Sequence, residues 1–158
     1  MEKTLAMRVL KGQKIAYTIL TYPDELRDAV EIAEVLKLRS GEVFKTLVLL
    51  PPEAGKKPML VMIPADRQLD LKTLASTVGV KKLKMATHWE AESITGLQVG
   101  GISALALVNK GFQVLIDESA RSLPEICVSA GKRGLQIKVR TTDLIAATKA
   151  RMVPAAAR

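Results

Sequence analysis

The sequence predicts one mixed α/β domain of α+β character, a largely antiparallel or mixed sheet flanked by helices. Three observations carry this. The chain of 158 residues is the length of one ordinary domain. Two nearly continuous apolar runs, residues 43–50 and 59–63, read as neighbouring buried strands. Further strand-like and helix-like segments alternate irregularly, without the strict rhythm of a parallel sheet.

The elements follow in chain order. Residues 2–11 read as a short helix with Leu5, Val9 and Leu10 apolar. Residues 15–22 are rich in β-branched and aromatic side chains and read as a strand. Asp24 is placed to cap a helix carrying Leu26, Ala29, Val30 and Ala33 on one face. The two apolar runs are joined by the turn-like residues 53–57, which predicts an antiparallel hairpin. Asp70 reads as the N-cap of a helix with Leu71, Leu74, Ala75 and Val78 at helical spacing, closed by Gly79. Residues 87–93 read as another short helix, and 99–103 as a loop or broken strand. Residues 114–117, 125–129 and 135–139 read as strands, and Thr141 or Thr142 as the cap of a last helix ending near Lys149. The domain is thus expected over residues 1–150, with 151–158 as a flexible, Ala-rich tail.

Composition narrows the chemistry. At 48% hydrophobic and 25% charged, the chain is globular, and at 3% aromatic its core rests on aliphatic side chains. Few rings argue against a surface that grips single-stranded bases mainly by stacking. A net charge of +8 attracts phosphates and other anionic surfaces. One cysteine, Cys127, sits in an apolar run and reads as a buried thiol. With His88 the single histidine, no usual zinc set and no Ser-His-Asp triad can be assembled. No signal peptide and no long apolar run is present, so the expectation is a soluble, cytoplasmic protein without a membrane partner.

Three segments carry candidate chemistry. Lys45 interrupts an apolar strand, so its ammonium either snorkels to water or stands as a fixed cation in a pocket. Gly100-Gly101 is either a bulge or a close-approach loop whose N–H groups donate to an oxyanion. Its spacing matches neither a Walker loop nor a Rossmann fingerprint. Residues 129–134, with Ser129, Gly131, Lys132 and Arg133, form either a basic turn or a nest of N–H groups with charged flanks. Lys81, Lys82 and Lys84, and Lys138 with Arg140, are either a solvated face or a backbone footprint for RNA. His88-Trp89 reads as packing and capping rather than a site.

Taken in order, Phe44-Lys45-Thr46-Leu47, Leu69-Asp70-Leu71-Lys72, residues 93–103, Ile116-Asp117 and residues 128–135 resemble the YbaK/EbsC family over about residues 3–150. The resemblance implies a curved, mainly antiparallel or mixed sheet and a pocket for the 3′-aminoacyl end of tRNA. It implies Lys45, Gly100 and Gly101 as catalytic positions. Tyr22, Thr46, Ile102, Ser103, Ser129 and Gly131 would line the substrate pocket, and Asp117 would be structural. Lys81, Lys82, Lys84, Lys132 and Arg133 are the expected contacts to tRNA. This chain departs from the family pattern at Ala104 and Ala106, where a proline and a glycine are usual. It departs again at Asp28, where the cysteine-specific relatives carry an aromatic ring, and at Gln136, where Asp is common.

The activity implied is removal of mischarged cysteine from tRNA(Pro), and also from tRNA(Cys), with no metal or organic cofactor. The partners are mischarged tRNA and, as a candidate, prolyl-tRNA synthetase. Two alternatives stay open: a deacylase for Ala-tRNA or another small mischarged amino acid, and a noncatalytic module that binds tRNA or the synthetase.

Overall fold

The computed structural model describes residues 3–53 and 56–157. Thr4 caps the first helix, α1 (Leu5–Gly12), through its hydroxyl to Met7 N–H, and buries Ala6, Met7 and Leu10. Eight strands then form two sheets. The first orders β1 (Tyr17–Thr21), β7 (Leu135–Arg140) and β6 (Glu125–Ser129), all antiparallel. The second orders β4 (Lys84–Met85), β2 (Phe44–Leu50), β3 (Met59–Pro64), β5 (Gln113–Asp117) and β8 (Arg151–Val153). Here β2 pairs antiparallel with β3 and β4, whereas β5 runs parallel to β3 and to β8. The mixed sheet expected from the sequence is therefore present, and the predicted hairpin is its centre. Ala54 and Gly55 of the hairpin's connecting turn lie outside the described residues.

Every residue of β3 is buried because the second sheet is covered on both faces. Leu60 and Met62 join one core with Phe44, Val48 and Ile116. Met59, Val61 and Ile63 join another with Leu49, Leu74 and Leu115. That two-sided burial is why the run reads as continuous rather than alternating. The second core is roofed by α3 (Leu71–Val78), whose N-cap Asp70 accepts from Thr73 N–H at 3.0 Å. Gly79 ends α3 at φ +78°, in the left-handed conformation that favours glycine. A parallel bridge between Val43 and Cys127 joins the two sheets at the start of β2.

Three expectations are corrected. The second helix, α2 (Ala29–Val35), is capped by Asp28, not Asp24: the Asp28 carboxylate accepts from Glu31 N–H at 3.1 Å. Upstream, Leu26 N–H turns back to Pro23 carbonyl instead of entering the helix. The last helix, α5 (Thr141–Thr148), has no side-chain cap. Thr141 ties it to the preceding loop instead, donating through its hydroxyl to Leu123 carbonyl and through its N–H to Pro124 carbonyl.

Residues 151–157, expected as a loose tail, are packed: β8 adds a parallel edge to β5, and Ala155 is fully buried. The anchor is Asp117, one oxygen of which accepts from Ala155 N–H at 2.9 Å and Ala156 N–H at 2.8 Å. Burial raises the Asp117 pKa, but the Ser119 hydroxyl and the N–H groups of Ala155, Ala156 and Ser119 outweigh it, leaving the carboxyl below its ordinary value. The long-range partners of these N–H groups could not be read from an Ala-rich segment.

Candidate active site

A cavity of about 210 Å³ is lined by residues of both sheets. Lys45 and Thr46 of β2 line it from one side, Ser129 and Gln136 of the first sheet from the other, and Gly100 and Ile102 of the connecting loop close it. All three segments singled out in the sequence thus meet in one place. Lys45 is half-buried. The ion pairs among the described residues join other groups, namely Arg39–Glu42, Lys84–Glu90 and Lys138–Glu125. Lys45 therefore stands in the cavity wall with no carboxylate engaged to it among the described residues.

The glycine loop is fixed by two hydrogen bonds and by close packing against the serine loop. Glu92, on α4 (His88–Thr95), accepts from Val99 N–H at 2.8 Å. Arg133 Nε donates to Val99 carbonyl at 2.7 Å. Gly100 adopts φ +91°, which glycine takes without strain. Gly101 lies so close to the serine loop that a Cβ there would sit 3.0 Å from Arg133 N and 3.1 Å from Lys132 carbonyl carbon. The two glycines therefore do different work. Gly101 N–H already donates to Gln98 carbonyl at 2.8 Å, so it is not a free oxyanion donor. Gly100 N–H has no protein acceptor among the described residues, and Gly100 lines the cavity.

Several expected lining residues stand behind the wall instead. Ser103 is buried and accepts from Ala106 N–H at 3.2 Å, closing a local turn. Here Ala104 and Ala106 pack in the core, so the loop is held without the usual proline. Gly131 N–H donates to Ser129 Oγ at 3.1 Å, and Gly131 packs against Ala106 and Ser103. Tyr22 is buried, with its hydroxyl unpartnered. Cys127 lies in the core, and burial pushes its thiol up to about 11.

Asp28, where the resemblance implies a pocket-wall position, lines the cavity; Arg27, Met85, Ala86 and His88 also line it and were not singled out as such. His88 reaches the cavity because Thr87 and Glu90 form a capping box that starts α4 beside it. The Thr-x-x-Glu spacing was the available signal. Gln136 is the most telling. It is 4% exposed, lines the cavity, and its amide oxygen has no hydrogen-bond partner. A buried acceptor left unpaired costs about 1–3 kcal/mol.

Lys81, Lys82 and Lys84 are exposed, and β4 brings Lys84 directly before the cavity residue Met85. Lys132 is exposed on the far loop, while Arg133 is half-buried through its bond to Val99. No helix among the described residues is long and apolar enough to cross a membrane.

The cavity is thus small and partly polar, with the Lys45 side chain in its wall. Comparison with known proteins makes the class specific. Residues 23–147 match the profile of the aminoacyl-tRNA editing domain, and the chain belongs to that family, in its YbaK/EbsC branch. It is 35% identical over 149 residues to the "Putative Cys-tRNA(Pro)/Cys-tRNA(Cys) deacylase EbsC" of Enterococcus faecalis, covering 93% of this chain and 89% of that one. It is 26% identical over 99 residues to the proline–tRNA ligase of Aquifex aeolicus, covering 63% of this chain and 17% of the ligase. A solved structure described as "a putative trans-editing enzyme for prolyl tRNA synthetase" shares the fold, with TM-score 0.82, 23% identity and full coverage of both chains.

Proposed function

We propose that this protein is a trans-editing aminoacyl-tRNA deacylase that removes mischarged cysteine from tRNA(Pro). The observation that carries the reading is the convergence of Lys45, Gly100 and Ser129 on one cavity of about 210 Å³, in a member of the editing family. An aminoacyl ester is already activated, so orientation and oxyanion support supply most of the catalysis. Gly100 N–H donates to the ester carbonyl oxygen. Gln136 is a polar side chain in the chamber wall beside the substrate. Lys45 supplies the fixed positive charge beside the ester. Lys81, Lys82, Lys84 and Lys132 hold the tRNA backbone, and prolyl-tRNA synthetase is the partner that would select the tRNA.

The nucleophile is the substrate's own thiol. Its sulfur bonds to the carbonyl carbon, the bond from that carbon to the ribose oxygen breaks, and the thiol proton passes to the departing ribose hydroxyl. The product is a small cyclic thioester and free tRNA. A thiol of pKa about 8.5 is only a few per cent ionised near neutrality, so a neighbouring ammonium raises the reactive fraction.

The polar Asp28 and Gln136 in the wall favour a second reading, a water-driven deacylase for Ala-tRNA(Pro). A panel of Cys-tRNA(Pro), Cys-tRNA(Cys) and Ala-tRNA(Pro), with and without prolyl-tRNA synthetase, separates the two. Cysteinyl ester is expected to be lost fastest, and Lys45→Ala to remove most turnover in a protein that still melts cooperatively. Wild-type turnover by a folded Lys45→Ala protein would falsify the role of the amine. No acceleration of any ester would leave only a binding module.

A further inference from the structure

We propose that Trp89 is a stacking platform for the unpaired base that precedes the aminoacylated terminal adenosine, an inference that rests on the deacylase reading. Trp89 is 78% exposed and is the single tryptophan of the chain. Every other aromatic ring is packed inward: Phe44 and Tyr22 are buried, and Tyr17 and Phe112 lie against the core. The fold makes no use of Trp89. The start of α4 is secured by the Thr87–Glu90 capping box, and Ala91 and Thr95 form its buried face.

Position supplies the second argument. His88, adjacent to Trp89, lines the cavity, as do Met85 and Ala86 just upstream. Glu92, three residues on and therefore on a neighbouring part of the helix surface, holds the glycine loop through Val99 N–H. Met85 is itself 46% exposed, so two of the four large exposed hydrophobics among the described residues lie in this one stretch. The indole thus stands on the surface one residue from the cavity lining.

Charge decides the kind of occupant. Lys81, Lys82 and Lys84 are exposed in the segment leading to Trp89, and the Lys84 contact with Glu90 is a long 3.9 Å at the surface. An exposed aromatic ring in a segment rich in exposed lysines suits a base with its phosphates. Protein interfaces instead deplete lysine at their apolar centres.

The test uses the single tryptophan as its own reporter. The full chain is titrated with an uncharged acceptor-stem minihelix carrying its unpaired 3′ nucleotides, and with the same minihelix trimmed of them. The intact RNA is expected to quench Trp89 emission, and the trimmed RNA to leave it near its starting value. In steady-state deacylation, Trp89→Ala is expected to raise KM by about 10-fold or more, within the range that loss of one base stack produces, and Trp89→Phe to recover most of it. Equal quenching by both RNAs, a wild-type KM for Trp89→Ala, or a response to prolyl-tRNA synthetase alone would overturn the proposal. An active wild-type enzyme indifferent to Trp89→Ala refutes the stacking role and spares the deacylase. Tail-dependent quenching by a protein that cleaves no ester refutes the deacylase and spares the stacking.

Discussion

Gly101→Ala tests how the site is held together. The φ of Gly101 lies outside the left-handed region, so an alanine can adopt its backbone conformation. The obstacle is the neighbouring chain: the new methyl would lie 3.0 Å from Arg133 N, 3.1 Å from Lys132 carbonyl carbon and 3.2 Å from Lys132 Cα. All three are backbone atoms with no rotamer to move aside. Comfortable contact is roughly 3.5–4.0 Å, so the glycine and serine loops must part by about 0.5 Å. Overpacking of this kind costs about 1–3 kcal/mol. The lost flexibility of glycine in the unfolded chain returns about 0.4–1 kcal/mol, leaving a net loss of roughly 1–2 kcal/mol. The displacement also moves Gly100 relative to Ser129, and errors near 1 Å cost about 100-fold in rate, so kcat/KM should fall by roughly 10-fold. Urea melts measure the first quantity and deacylation of Cys-tRNA(Pro) the second. Gly12→Ala is the control, because its methyl meets nothing within 4 Å at the end of α1. If Gly101→Ala matched the control in stability and the wild type in rate, the two loops would not be braced against each other as described.

Three further outcomes are expected. Asp117→Asn should destabilise the protein by about 1.5–3 kcal/mol, the worth of hydrogen bonds to a charged group, with hydrogen exchange at Ala155 and Ala156 accelerating. Because the folded carboxyl titrates below its ordinary value, its contribution is complete above about pH 4 and is lost as the pH falls through the folded pKa; acid melts of Asp117→Asn should lack that part of the slope. Cys127, pushed up to about 11 by burial, should resist an aromatic disulfide reagent at pH 8 until the protein is unfolded; prompt labelling of the native state would contradict its place in the core. Binding of tRNA should weaken with salt at a logarithmic slope of about −3, as four phosphate contacts to single strands give, and Lys81→Glu with Lys82→Glu should flatten it.

The elements were legible where local physics decided them. Met59–Ile63 betrays two-sided burial by having no polar position, and Asp70 with Gly79 marks both ends of α3 by capping chemistry alone. Legibility failed where a distant partner decided. Asp24 and Asp28 offer the same side chain to the same helix, and what separates them is the turn of Leu26 back onto Pro23. Thr141 has the residue type of a cap, but the carbonyl of Leu123 claims its hydroxyl. The Ala-rich end carries no mark of order of its own, because the order is supplied by Asp117, 38 residues upstream of Ala155.

The same distinction runs through the site. Lys45, Gly100 and Ser129 could be singled out one by one because each is odd in its local setting: a cation in an apolar run, a paired glycine, a hydroxyl before a basic turn. Their convergence depends on β2 and β6 meeting at the Val43–Cys127 bridge, a long-range contact with no local signature. Gln136 shows the converse. A glutamine alternating with Leu135 and Ile137 looks like the polar face of a strand, yet it is buried with an unpaired oxygen. The two glycines differ in the same way: Gly101 N–H is already committed to Gln98 carbonyl, whereas Gly100 N–H has no protein acceptor among the described residues.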